Sequence, residues 1–103
     1  MAIVMHAALA THDWLRAGVR RGERIYHILS DLEGPNGARE LRAFVEALGL
    51  PSRFVQYPGT YREHFDAPGR YQDDLLQHGA IPVSTRELGA LLKKRRTVQG
   101  DVI

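Results

Sequence analysis

Ile25-Tyr-His-Ile-Leu-Ser-Asp-Leu-Glu-Gly-Pro-Asn-Gly-Ala-Arg-Glu-Leu-Arg-Ala-Phe-Val-Glu-Ala-Leu-Gly49 runs from a strand signal into a helix signal, and the architecture turns on it. It opens with Ile25–Leu29, an apolar, partly β-branched run that reads as a buried strand. Gly34-Pro-Asn-Gly37 follows as a loop signal. Leu41, Phe44, Val45 and Leu48 then recur at i, i+3, i+4 and i+7, one apolar stripe of an α-helix. Gly49 stands just past the stripe, where a left-handed residue stops a helix. A strand feeding such a helix is the first half of a strand–helix–strand unit.

Upstream, residues 2–5 are apolar and read as a first strand. No basic region precedes them, so Met1–His6 is not expected to be a signal peptide. Residues 7–23 read as a mixed connection. Within it Thr11 could cap a short helix holding Trp14, Leu15 and Val19, with Arg16, Arg20, Arg21 and Arg24 on the wet side.

Downstream, Arg53–Tyr57 reads as a strand and residues 58–66 as a loop. A helix is expected from Pro68, a good first-turn residue, to Gly79, with Tyr71 and Leu75 inward. Ala80–Val83 reads as a short strand, placed at an edge because Pro82 has no N–H. Ser84-Thr-Arg-Glu87 is a capping box for a last helix with Leu88, Leu91 and Leu92 on its apolar face. From residue 25 the order is therefore β-α-β-α-β-α. The expectation is one small three-layer α/β domain over residues 1–96, with a mostly parallel sheet of about four strands and three main helices. Residues 97–103 lack periodicity and are expected to form a flexible tail.

Composition narrows the function classes. The chain has 103 residues, one domain's worth, and no cysteine. Disulfides, zinc–thiolate sites and thiol nucleophiles are thereby excluded, and a cytoplasmic location is expected. No apolar run approaches the roughly 20 residues of a bilayer span, so no membrane partner is expected. Net charge is +2, and the whole excess lies beyond Pro51, mostly in Lys93-Lys-Arg-Arg96. Four cations at a helix end are satisfied by the negative end of the macrodipole and need no partner.

In a parallel sheet, ligands collect beyond the carboxyl ends of the strands. The groups there would be His6, then Ser30 and Asp31, then Tyr57 to Asp66, then Ser84, Thr85 and Arg86. His64-Phe-Asp66 is the most suggestive pair, because residues i and i+2 of extended chain project to one side. An imidazole beside a carboxylate suits acid–base chemistry, and Phe65 would point the other way into the core. The competing reading makes Asp66 a helix cap and His64 an exposed loop residue. His27, inside an apolar strand, reads first as a buried histidine bonded to backbone. Arg86 and the Ser84 hydroxyl at a helix N-terminus offer an anion site, unless they simply cap the helix. Tyr57 and Tyr61 alternate with Arg53 and Arg62, a pattern that can stack a base and hold its phosphate. The common nucleotide, hydrolase and zinc-finger signatures are absent. With no cysteine and no compact His/Asp spacing, neither a cofactor nor a tightly held metal is expected.

Tyr26-His-Ile-Leu-Ser-Asp31, Glu40-Leu-Arg-Ala-Phe44, Leu48-Gly-Leu50, Phe54, His64-Phe-Asp66, Gly79-Ala-Ile-Pro-Val83 and Arg86-Glu-Leu88 follow in an order that resembles a known pattern. It is similar to the bacterial and phage family called Domain of Unknown Function 4031, over about residues 25–92. The resemblance implies His27, Ser30, Asp31, Glu40, His64 and Asp66 as family positions. This chain departs from the pattern at Arg42, where histidine is usual, and at His6, where aspartate is usual. The resemblance implies a shared polar site but no reaction.

The leading functional expectation is a site for an anionic ligand, a nucleotide or another phosphorylated molecule. Its reaction would be hydrolysis or transfer, with His64, Asp66 and Asp31 as catalytic groups and His27, Ser30, Arg62, Ser84 and Arg86 binding the ligand. The alternative is a non-catalytic accessory module that binds nucleic acid or a protein partner through its basic and aromatic surface.

Overall fold

The computed structural model describes residues 2–100. The strands are β1 (Ile3–Leu9), β2 (Arg24–Ser30), β3 (Phe65–Pro68) and β4 (Ile81–Pro82). The helices are α1 (Gly34–Ala47), α2 (Gln72–Gln77) and α3 (Thr85–Gly100). The strands form one sheet in the order β3-β2-β1-β4. β1 and β2 are antiparallel, as are β2 and β3, and only β1 and β4 run parallel.

The α/β content agrees with the sequence, but the sheet is mixed and mostly antiparallel rather than mostly parallel. Two local readings account for the difference. Residues 7–9 extend β1, and the rest of the first connection has only one short 3-10 turn, Leu15–Ala17, so the chain returns beside β1 in reverse. Residues 53–57 are not a strand: Ser52–Phe54 is another 3-10 turn, and only Gln56 makes a bridge, to His64. The strand after α1 comes later, at Phe65–Pro68, inside the expected loop. Its alternation buries Phe65 and Ala67 and leaves Asp66 on the other side. Pro68 ends this edge strand instead of opening a helix, where its missing N–H removes no ladder bond. α2 accordingly begins only at Gln72.

The two faces of the sheet differ. On one, Ile3, Met5, Tyr26, Ile28, Phe65 and Ala67 form a single core with Leu41 and Val45 of α1 and Leu75 of α2. On the other, cross-strand partners carry Val4 against Leu29, His6 against His27, and His27 against Asp66. Leu88 and Leu92 of α3 stand over this second face. The capping box at the start of α3 forms as read: the Glu87 N–H donates to Ser84 Oγ at 3.1 Å, and the Ser84 N–H to Glu87 Oε1 at 3.0 Å. The stripe of α3 ends on a buried arginine. Arg95 Nη1 donates to the Glu63 carbonyl at 3.5 Å, and the buried Glu63 carboxylate accepts the Gly59 N–H at 2.9 Å. Of the tail expected at residues 97–103, residues 97–100 continue α3, and residues 101–103 lie outside the described residues.

Gly37 shows how closely the first turn of α1 packs on the loop that leads into it. A Cβ at this position would collide with the carbonyl oxygen of Leu32 and lie 2.9 Å from its carbonyl carbon. Alanine in place of glycine gains about 1 kcal/mol of helix propensity. Overpacking against rigid backbone loses about 1–3 kcal/mol. Gly37→Ala is therefore expected to destabilise the chain by about 1 kcal/mol in a urea melt. A stabilised variant would show that the first turn of α1 can move away from Leu32.

Candidate functional site: a carboxylate between two imidazoles

The centre of the second sheet face is polar. His6 on β1, His27 on β2 and Asp66 on β3 sit side by side across three strands because the register pairs them. His64 precedes Asp66 by two residues and shares its side, so the expected geometry of His64-Phe-Asp66 holds and Phe65 enters the core.

Asp66 joins the group. Its Oδ1 lies 2.5 Å from His27 Nδ1 and 3.3 Å from His64 Nε2. Its Oδ2 accepts a hydrogen bond from Gln56 Nε2 at 2.7 Å. His64 Nδ1 lies 2.7 Å from the Arg62 carbonyl oxygen. A carbonyl only accepts, so that nitrogen carries the proton. The His6 ring stacks on His27, with centroids 5.8 Å apart and planes 7° from parallel, and its Nε2 is 2.9 Å from Thr85 Oγ1.

The electrostatics follow from this geometry. Burial alone would raise the pKa of Asp66, but the hydrogen bonds from His27 and His64 outweigh it and hold the carboxyl well below the usual carboxylate range. Burial would lower His64, but its bond to Asp66, its bond to the Arg62 carbonyl and the Asp66 charge raise it. His6 is lowered, by burial first and by neighbouring His27 second.

His27, His64 and Asp66 line an open cleft of about 490 Å³ between the sheet face and α3. Ile25, Leu29, Leu88 and Leu92 form its apolar wall, and Gln56, Tyr57 and Arg62 its polar side. Tyr57 sits at φ 51°, uncommon for a residue with a side chain. Its ring lies 6.0 Å from that of His64, and the Arg62 guanidinium lies over it at 4.4 Å.

The structure thus brings together His27, Arg62, His64 and Asp66, and leaves the other expected site residues elsewhere. Asp31 does not line the cleft, and its Oδ1 accepts the Ala2 N–H at 2.8 Å, closing the start of β1. Ser30 faces α1, where its hydroxyl donates to Glu40 Oε1 at 2.5 Å. Ser84 is engaged with Glu87, and Arg86 is exposed beyond β4. The expected gathering of Asp31, His64 and Arg86 at one carboxyl edge does not occur. β2 runs against β4, so their carboxyl ends lie at opposite ends of the sheet. His27 is half-buried and bonded to a carboxylate rather than to backbone. Gln56 carried no signal in the sequence, and the stacking of His6 on His27 needed the β1–β2 register.

No curated protein and no solved structure is detectably similar to the chain. The family model described as "Protein of unknown function (DUF4031)" matches residues 13–95, beyond both ends of the region where the motifs were read. His27, His64, Asp66 and strands β2 to β4 lie within that span, β1 with His6 precedes it, and the chain belongs to the DUF4031 family.

Proposed function

We propose that the cleft binds an anionic ligand, a nucleotide or another phosphorylated small molecule, and serves its hydrolysis or transfer. The observation that carries this reading is the Asp66 carboxylate shared by two imidazoles on the floor of a cleft with a guanidinium at its side. Arg62 supplies a cation for the ligand's charge. Asp66 occupies Nδ1 of His27, which leaves Nε2 as the nitrogen that can exchange a proton with a ligand, the role an aspartate gives a catalytic histidine. Relative to the sequence reading, His27 takes the acid–base role first assigned to His64. His64 and Gln56 hold Asp66 in place. The basic run of α3 is broken by the buried Arg95, which weakens the nucleic-acid alternative.

The test is calorimetric titration with a panel of nucleotides and phosphomonoesters, alongside turnover assays on the compounds that bind. Arg62→Ala is expected to weaken binding about tenfold or more, since a hydrogen bond to a charged group is worth ~1.5–3 kcal/mol. His27→Ala should abolish turnover, and Arg86→Ala should leave both unchanged. Equal losses from Arg62→Ala and Arg86→Ala would place the ligand elsewhere. Steeply salt-dependent binding of generic nucleic acid, indifferent to the cleft variants, would favour the accessory-module reading.

A further inference from the structure

We propose that His27, His64 and Asp66 form a binding site for one divalent transition metal ion of zinc's class. A fourth position would open to the cleft for water or an oxygen of the anionic ligand. The inference rests on the proposed function for what occupies that fourth position, and with the ion bound His27 is a ligand rather than the acid–base group.

The three side chains each offer one ligand atom, and these atoms lie within 4.8 Å of one another. In a tetrahedral site with bonds of ~2.0–2.1 Å, neighbouring ligand atoms are about 3.3 Å apart. His64 Nε2 and Asp66 Oδ1 already have this separation, at 3.3 Å. His27 Nδ1, at 2.5 Å from the same oxygen, would need to withdraw by about 0.8 Å to reach it.

The protonation pattern points the same way. The proton of neutral His64 is on Nδ1, held by the Arg62 carbonyl, so Nε2 presents a lone pair to a carboxylate oxygen. Two acceptors face each other stably only with a cation between them, a proton or a metal. The surrounding bonds are those that orient metal ligands. The Arg62 carbonyl fixes the His64 tautomer, and the Gln56 amide holds Oδ2, leaving Oδ1 turned to both rings. Two imidazoles and one carboxylate suit zinc and its neighbours, whereas magnesium and calcium prefer all-oxygen shells. Three protein ligands with an open position are the pattern of a reactive rather than a purely structural site.

The experiment is competition titration of the untagged, folded chain with zinc and a chromophoric chelator, with magnesium as the second ion. Elemental analysis after dialysis gives the stoichiometry. One equivalent of zinc is expected, with far weaker magnesium binding. Loss of a second-shell bond typically weakens metal binding about 10–100-fold, so Gln56→Ala should fall in that range. His27→Ala, His64→Ala and Asp66→Ala should each weaken it by at least about 100-fold. His78→Ala, on the far side of the sheet core, should not change it. Circular dichroism checks folding. Where Asp66→Ala does not fold, Asp66→Asn and His64→Gln take its place with the same expected loss. Absence of saturable zinc binding, retention of binding in the ligand variants, or equal affinity for magnesium would each overturn the site. Phosphorylated ligands that bind equally well with a chelator present, in a chain that takes up no zinc, would sink the metal and leave the proposed function standing. Zinc uptake without any anionic ligand would do the reverse.

Discussion

Asp66→Asn is expected to lower the stability of the metal-free chain by about 2–3 kcal/mol near pH 6, the scale of hydrogen bonds to a largely buried charged group. The substitution keeps the side chain's shape but removes the charge that His27 and His64 share. The pH dependence follows from the two shifts. The folded-state pKa of Asp66 is depressed, so its contribution is present above the unfolded value of about 3.9 and is lost as pH falls through the folded value. The folded-state pKa of His64 is raised, so its contribution is complete below the unfolded value of about 6.5 and is lost as pH rises through the folded value. The pair therefore adds most between about pH 4 and 6.5. Urea melts of both proteins in a chelator, from acid to mildly alkaline pH, should show the gap widest in that window and narrower on either side. A gap that does not change with pH would mean that Asp66 is not paired with a charged imidazole, and the cluster would be an ordinary neutral hydrogen-bond network.

Leu41→Ala should have the largest effect on the fold, a loss of about 2–5 kcal/mol through a cavity that the neighbours only partly refill. Leu41 is 1% exposed and lies in the core that joins α1 to the sheet. Against a total stability of about 5–15 kcal/mol for a small domain, such a loss leaves a marginal protein. The expected fall in melting temperature is of order 10 °C or more. His64→Ala provides the comparison. Its side chain is 17% exposed and makes two polar contacts, so a smaller loss of about 1–2 kcal/mol is expected. A denaturant series on both variants separates the roles. If His64→Ala is as destabilising as Leu41→Ala, the imidazole is part of the packing, and the functional reading of the cluster fails. If Leu41→Ala is mild, α1 is not the helix that closes the core.

Local chemistry made several elements legible. β2 and α1 follow from an apolar run and an i, i+3, i+4, i+7 stripe, and both form. The start of α3 follows from Ser84 and Glu87, whose reciprocal bonds involve residues three apart. The common side of His64 and Asp66 follows from the two-residue period of extended chain, which needs no partner strand. β3 was not legible in the same way. Phe65-Asp-Ala-Pro68 is short and ends in proline, and it becomes a strand because β2 offers an edge and the core takes Phe65 and Ala67.

Residue patterns alone specify an α/β chain with an apolar face on β2 and α1, a capped last helix and an imidazole beside a carboxylate at His64 and Asp66. The direction of the strands came from long-range packing. That direction separated Arg86 from Asp31, and the packing of α1 on the Tyr26 and Ile28 side of β2 brought Glu40 to Ser30, away from the cleft. The tertiary structure alone also brought His27 to Asp66, 39 positions away in the chain. The difference is one of range. Helix stripes, caps and strand alternation are set by neighbours within a few residues. Strand direction and register are set by which distant segments bury their apolar sides together, and a shift of one residue would turn His27 and Asp66 to opposite faces.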